Sequence, residues 1–202
     1  MSPAKAGTKP GFLDQVLAKW GLERPEAPTA EALDVLHQAY LLNVPFENAT
    51  KLMKASRAKN ADAAVRGPVE FWKDHLRLGS GGTCFAATAA YQFLLRYLGY
   101  SSKLLFCHLP AEKPQAHAAL WVTLDGAEIL VDVGYALPAP LRLEDRNTYR
   151  STPYYDMEAR PGPNREYLIF PEAAPGSRFR HRFLLDAATD PAYLKAWHRT
   201  SD

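Results

Sequence analysis

The run His117-Ala-Ala-Leu-Trp-Val-Thr-Leu-Asp-Gly-Ala-Glu-Ile-Leu-Val-Asp132 reads as two strands turning at Asp125-Gly126. Asp-Gly between apolar runs is a strong hairpin signal. With those two residues as the loop, Leu124 opposes Ala127, and counting outward sets Asp132 opposite Ala119. Side chains alternate between faces, so Ala119 and His117 share one. His117 and Asp132 are then diagonal neighbours with backbones about 7 to 8 Å apart, a gap that long side chains close. A four-residue loop keeps this parity, whereas a three-residue loop would send Asp132 to the opposite face. Asp132 lies between Val131 and Val133, where an unpaired carboxylate is costly, so it calls for a specific partner.

Upstream, the glycine-rich turn Ser80-Gly81-Gly82-Thr83 leads into Cys84, which opens an apolar helical run, Phe85 through Leu98, that stops at Gly99. A helix N-terminus carries partial positive charge and unpaired N–H donors, which favour a thiolate and can cradle a negatively charged oxygen. Cys84, His117 and Asp132, in that chain order, supply a nucleophile, a base for its proton and a group that fixes the base's tautomer. Taken singly, Cys84 reads as a small buried helix residue and His117 as a core or edge histidine. Their combination with Asp132 reverses both readings.

Before the turn, Phe12, Leu13, Val16, Leu17 and Trp20 recur at three and four residues, predicting an amphipathic helix stopped by Gly21. Thr29 caps a second helix, Ala30 to Leu42, with Leu33, Leu36, Tyr40 and Leu41 as its apolar face and Pro45 as its end. Lys51 to Arg66 is polar and alanine-rich and reads as a mobile loop. Pro68 to Leu76 predicts a third helix with Trp72 and Leu76 on one face. After Gly99 the period becomes two, with strands expected over Lys103–Leu109, Ala118–Leu124, Glu128–Val133, Tyr154–Ala159, Tyr167–Phe170 and Phe179–Leu185. Arg160–Asn164 and Pro171–Gly176 read as turns, and Asp190-Pro191 starts a last short helix. Helices first and strands afterwards make an α+β fold, an N-terminal helical bundle followed by an antiparallel β-barrel or curled sheet with the triad between them. The expected organisation is a disordered leader over 1–10, a helical domain over 11–99 carrying Cys84, an antiparallel β domain over 100–188 carrying His117 and Asp132, and a short C-terminal helix over 189–202.

Four segments, taken together, resemble the arylamine N-acetyltransferase family: Leu36-His-Gln-Ala-Tyr-Leu-Leu-Asn-Val-Pro-Phe-Glu-Asn48, Gly81-Gly82-Thr83-Cys84-Phe85, His117, and Leu130-Val-Asp-Val-Gly134. The likeness runs from about Phe12 to the C-terminus. It implies that Cys84 takes an acetyl group from acetyl-CoA and passes it to an arylamine, a hydrazine or another amine, with His117 and Asp132 completing the triad. Backbone N–H groups at the start of the Cys84 helix, joined by one from the Tyr135 loop, are expected to hold the oxyanion. Phe46, Gly134 and Tyr135 match positions beside the acceptor pocket, and the Tyr135 hydroxyl, where the family more often has Phe, points to a more polar acceptor. Two other readings share these residues: a cysteine-triad amide hydrolase or transglutaminase-like enzyme, told apart by its acyl donor, and a non-catalytic binding relative, against which the retention of all three triad positions speaks.

The chain also departs from the family pattern. Ser80 stands where the family usually has Arg, and Ala86 and Thr88 replace Glu and Asn. Losing both charges together is tolerable, because an unpaired charge is the costly state. Glu47 remains, however, and needs another donor. Family members continue into a C-terminal lid segment that contributes to coenzyme binding. This chain stops at Trp197-His-Arg-Thr-Ser-Asp202, so that segment is expected to be absent and the thioester wetter.

Composition narrows the remaining classes. The 202 residues are 47% hydrophobic and 23% charged, ordinary globular values that exclude disorder as the general reading. A net charge of +2 with no basic stripe gives no pointer to nucleic acid. The short Arg178-Phe-Arg-His-Arg182 run reads as a solvated strand face. Two cysteines are too few for a disulfide framework, and Cys107, within Leu104-Leu-Phe-Cys-His108, reads as a buried strand residue. His37, His75, His108, His181 and His198 lack metal-ligand spacing, so no metal is expected. With no secretory leader pattern and no long apolar span, a cytoplasmic protein with small-molecule partners and no membrane contact is expected.

Overall fold

The computed structural model describes residues 11–108, 115–170, 181–188 and 190–199. The expected leader at 1–10 and the turn at 171–176 lie outside them, as does most of the 178–182 basic run. Within that run, Arg182 extends to Glu166 at 3.5 Å as an exposed pair.

Six helices come first: α1 (Phe12–Lys19), α2 (Ala30–Asn43), α3 (Ala49–Ala55), α4 (Ala61–Ala64), α5 (Pro68–Leu78) and α6 (Cys84–Tyr97). Their ends carry the expected punctuation at Thr29, whose Oγ1 accepts the Ala32 N–H at 3.1 Å, and at Gly21 and Gly99, which leave α1 and α6 with positive φ. α5 runs two residues beyond the expected Leu76 and ends at Gly79, also with positive φ. The loop expected over 51–66 is instead occupied by α3 and α4. Local side-chain bonds pin them: Glu47 accepts the Thr50 N–H at 3.0 Å and Asn60 accepts the Ala63 N–H at 2.9 Å. Trp20, Tyr40, Trp72 and Tyr91 interlock at the centre, with Trp20–Trp72 at 5.6 Å and Tyr40–Tyr91 at 4.8 Å between ring centroids. The Trp72 indole donates to Ala90 O at 2.8 Å, tying α5 to α6.

A first antiparallel sheet follows, ordered β1 (Ser101–Cys107), β2 (His117–Leu124), β3 (Ala127–Val131), β4 (Leu141–Leu143). A second is ordered β5 (Thr148–Arg150), β6 (Met157–Pro161), β7 (Glu166–Phe170), β8 (His181–Leu184). The barrel or curled sheet is thus two four-stranded sheets packed face to face, joined at one corner where His108 and Arg182 exchange backbone hydrogen bonds of 2.8 and 3.0 Å. The first sheet is buried on both faces. Ala118, Leu120 and Val122 face the helices, while Ala119 and Trp121 face Met157, Ile169 and Phe183 of the second sheet. α7 (Asp190–Arg199) returns to the helical core, where the Tyr193 hydroxyl donates to Phe85 O at 2.8 Å.

Two histidines are buried in the helical layer, and burial holds the pKa of both His37 and His75 below the ordinary imidazole value of 6.5. They are neutral in the folded protein, so the unfolded chain gains protons first as pH falls. Their contribution to stability is present above pH 6.5 and is lost as pH drops below it toward their folded values. We expect the midpoint of thermal unfolding to fall steadily between about pH 6.5 and 5. A midpoint that does not change across that range would contradict the neutral assignment.

Candidate active site

The hairpin forms with the register expected from Asp125-Gly126. Leu124 pairs with Ala127 and Leu120 with Val131, and φ is 50° at Asp125 and 76° at Gly126. That parity brings His117 Nε2 to 2.8 Å from Asp132 Oδ2, with both side chains buried. The carboxylate is saturated: its Oδ1 accepts the N–H groups of Gly134 at 3.0 Å and Tyr135 at 2.9 Å. The partner that Asp132 requires between two valines is therefore His117, with two backbone donors behind it.

Cys84 opens α6, partly exposed, and hydrogen-bonds His117. With Nε2 committed to Asp132, the nitrogen left for sulfur is Nδ1. Gly134 seals the contact from the other side. A Cβ there would lie 2.7 Å from Cys84 Cβ and 2.7 Å from His117 Cε1. Tyr135 packs its ring edgewise on the imidazole at 4.2 Å. Phe46 forms an isolated parallel bridge with Gly82, two residues before Cys84, and is 64% exposed. Cys84, His117, Asp132, Gly134 and Tyr135 therefore gather at the junction of α6, the β2–β3 sheet end and the loop after Asp132, while Phe46 meets the turn that leads into Cys84.

The electrostatics favour the imidazolium that forms when His117 takes the Cys84 proton. Burial alone would lower the His117 pKa, but the Asp132 charge and hydrogen bond, with the Cys84 contact added, lift it to about 9. Cys107 behaves differently: burial, with Asp132 and Cys84 nearby, pushes its thiol well above its ordinary range, in keeping with an inert core residue.

One expectation needs correction. The N–H groups of Gly134 and Tyr135 are spent on Asp132, so neither serves the oxyanion. The remaining donors are at the start of α6, where Thr83 makes no side-chain cap and the first intrahelical bond runs from Ala87 N–H to Thr83 O at 2.9 Å. The N–H groups of Cys84, Phe85 and Ala86 precede that bond and are the natural cradle for negative oxygen.

Several supporting contacts were not read from the sequence. Glu47 finds its donors in Thr50 and lies near Arg66, a buried guanidinium that donates to Gly81 O. His75 reaches Ser80 O at 2.9 Å. His37 Nε2 donates to Leu137 O at 2.6 Å, and Gln38 donates to Pro138 O, so α2 fixes the far end of the Asp132 loop. Thr88 donates to Ala118 O at 3.0 Å beside His117. A buried histidine on α5 was readable from its spacing to Trp72. The reach of Arg66 was not, because its neighbours meet only in the folded chain. No cluster of three metal-ligating side chains occurs among the described residues, and no helix among them is long and apolar enough to cross a membrane.

The comparisons with known proteins agree with this architecture. An N-acetyltransferase family model matches residues 29–160. An arylamine N-acetyltransferase / N-hydroxyarylamine O-acetyltransferase of Salmonella typhimurium is 29% identical over 125 residues, covering 58% of this chain and 42% of that protein. An arylamine N-acetyltransferase of Escherichia coli is 26% identical over 140 residues, covering 65% of this chain and 47% of that protein. The chain thus spans under half the length of these curated relatives. Among solved structures, the arylamine N-acetyltransferase from Salmonella typhimurium superposes with a TM-score of 0.81 at 22% identity, covering 96% of this chain and 71% of that one. The NAT3 arylamine N-acetyltransferase of Bacillus cereus, which has a Cys-His-Glu catalytic triad, gives 0.79 at 17% identity, covering 96% and 77%. At these identities the structural likeness establishes the fold.

Proposed function

The chain belongs to the arylamine N-acetyltransferase family, and from that premise we propose that it is an acyltransferase working through a thioester on Cys84. The observation that carries the reading is the contiguous Cys84–His117–Asp132 chain of contacts, with the 2.8 Å His117–Asp132 bond at its centre. Acetyl-CoA, as co-substrate, brings the acyl group as a thioester. The uncapped N–H groups that open α6 suit its carbonyl oxygen, which becomes negative when sulfur attacks.

In the first half-reaction the Cys84 proton passes to His117 Nδ1 and the sulfur bonds to the acyl carbon. The carbon–sulfur bond to the coenzyme then breaks, and His117 returns the proton to the leaving thiol. In the second, an amine attacks the Cys84 thioester and gives its proton to His117, and the freed Cys84 sulfur takes that proton back. Asp132 stays ionised throughout and holds the imidazolium. Phe46, exposed beside Gly82, and Tyr135, packed on His117, are the side chains we assign to the acceptor, and the Tyr135 hydroxyl favours a more polar amine. Small-molecule partners, a cytoplasmic setting and the absence of metal, nucleic acid or membrane complete the proposal.

Intact-mass measurement after mixing with acetyl-CoA tests the reading. We expect one acetyl group per chain, labile to hydroxylamine, transferred to an added arylamine and absent from Cys84→Ala. Iodoacetamide should label Cys84 and leave Cys107 untouched in the folded protein. No adduct from acetyl-CoA, or one retained in the alanine variant, would sink the proposal. Acylation by an amide donor instead would move the chain to the transglutaminase-like class.

A further inference from the structure

The turn ahead of Cys84 contains two adjacent glycines, and glycine backbones have a wide choice of conformations. Something outside the turn has to choose one. Close packing supplies part of the answer: a Cβ on Gly81 would fall on Pro45 O, and one on Gly82 would meet Phe71 Cε2 at 2.9 Å and Arg66 Nη2 at 3.0 Å. The backbone bonds that join the turn to the Pro45–Glu47 segment are long, 3.3 Å from Gly82 N–H to Pro45 O and 3.4 Å from Glu47 N–H to Gly82 O. They lie at the weak end of the range.

The firm anchors are two side chains from elsewhere in the chain. The Trp20 indole, which can only donate, gives its hydrogen to His75 Nε2 at 3.1 Å, so the His75 proton is on Nδ1 and is donated to Ser80 O at 2.9 Å. The adjoining carbonyl, Gly81 O, accepts from Arg66. That guanidinium lies over the Phe71 ring, 4.7 Å from its centroid, with Nη1 3.7 Å from Asp74 Oδ2, and is only 5% exposed. Glu47, Asp74 and Glu70 help to keep it charged against the pull of burial. A buried charge costs several kcal/mol, and a hydrocarbon of the same volume would pack on Phe71 without that cost. Holding the Gly81 carbonyl is what the hydrocarbon could not do.

We propose that Arg66 is a positioning residue for Cys84. By locking the Gly81 carbonyl beside the one held by His75, it fixes the peptide planes of the turn and hence the direction of the N–H groups that open α6. A Cβ on Gly82 would lie 3.0 Å from Arg66 Nη2 and 3.2 Å from Ala86 Cβ, so the guanidinium and the first turn of α6 flank the same glycine. The inference rests on Cys84 being the nucleophile of the proposed acyl transfer.

Arg66→Met keeps the packing on Phe71 and removes both bond and charge. We expect iodoacetamide alkylation of Cys84 and single-turnover acyl transfer from acetyl-CoA each to slow about 10- to 100-fold, with the KM for the acceptor amine within about twofold. Arg66→Lys should recover most of the loss, and rates are referred to the folded fraction seen by circular dichroism. Unchanged rates in folded Arg66→Met, a raised KM at unchanged kcat, or a Lys variant no better than Met would each overturn the proposal. Should the Met variant not fold, Asp74→Asn decides, because it loosens the guanidinium without removing it. It should slow both rates about threefold, and wild-type rates would overturn the proposal. If the wild-type chain is alkylated at Cys84 but not acetylated by acetyl-CoA, the acyl-transfer reading fails, and the alkylation comparison still tests Arg66.

Discussion

Asp132→Asn is expected to lower acyl transfer on the order of 10⁴-fold, the loss seen when a related triad loses its carboxylate, while the protein folds normally. The reason lies in how the two carboxylate oxygens are used. Oδ1 accepts the Gly134 and Tyr135 N–H groups, and an asparagine oxygen can keep both bonds. The amide NH₂ then occupies the place of Oδ2, 2.8 Å from His117 Nε2. An amide nitrogen only donates, so Nε2 has to become the acceptor and the imidazole proton moves to Nδ1. Nδ1 faces Cys84 and can no longer take its proton. The substitution also removes the charge that lifts His117 to about 9. Single-turnover transfer measures the effect directly, and circular dichroism confirms the fold. An Asn variant within about tenfold of wild type would make Asp132 a structural residue only.

The site was legible where local chemistry dictates geometry. Asp125-Gly126 admits positive φ at both positions, so the register followed, and with it the face shared by His117 and Asp132. Gly21 and Gly99 marked helix ends for the same reason. Elements without such signals were missed. β4 and β5 have three residues each and exist only through pairing with β3 and β6, too short for alternation to register. α3 and α4 read as loop because their stabilising contacts, Glu47 on Thr50 and Asn60 on Ala63, are caps at the ends of polar segments with almost no apolar periodicity. The Tyr135 loop was assigned to the oxyanion because position alone does not reveal that its N–H groups already have an acceptor. Arg66 was invisible because Glu47, the α5 residues Phe71 and Asp74, and Gly81 approach it from three places in the chain.

Gly134→Ala should slow acyl transfer severely, although it adds a single methyl group. The backbone there does not need glycine, since Gly134 is absent from the positive-φ residues, so the obstacle is space alone. The new Cβ would lie 2.7 Å from Cys84 Cβ, 2.7 Å from His117 Cε1 and 3.1 Å from Cys84 Cα, about an ångström inside ordinary carbon contact. None of these atoms can yield easily. Cys84 is the first residue of α6, and His117 is held by Asp132 on one side and by the Tyr135 ring at 4.2 Å on another. Relief comes only from separating sulfur from imidazole or from lifting the loop that carries the Asp132 bonds. A misplacement of about 1 Å costs roughly 10²-fold in rate, so we expect a loss of about 10²- to 10³-fold. The loss should appear in kcat and in the rate of Cys84 alkylation, because the clash falls on Cys84 and His117 themselves. Gly67→Ala, where an added Cβ meets nothing within 4 Å, serves as the control: at the N-cap of α5 it costs some stability but should leave acyl transfer by the folded protein unchanged. If Gly134→Ala transfers acyl groups as fast as that control, Cys84 and His117 do not need the contact that Gly134 keeps open, and the proposed proton path between them is wrong.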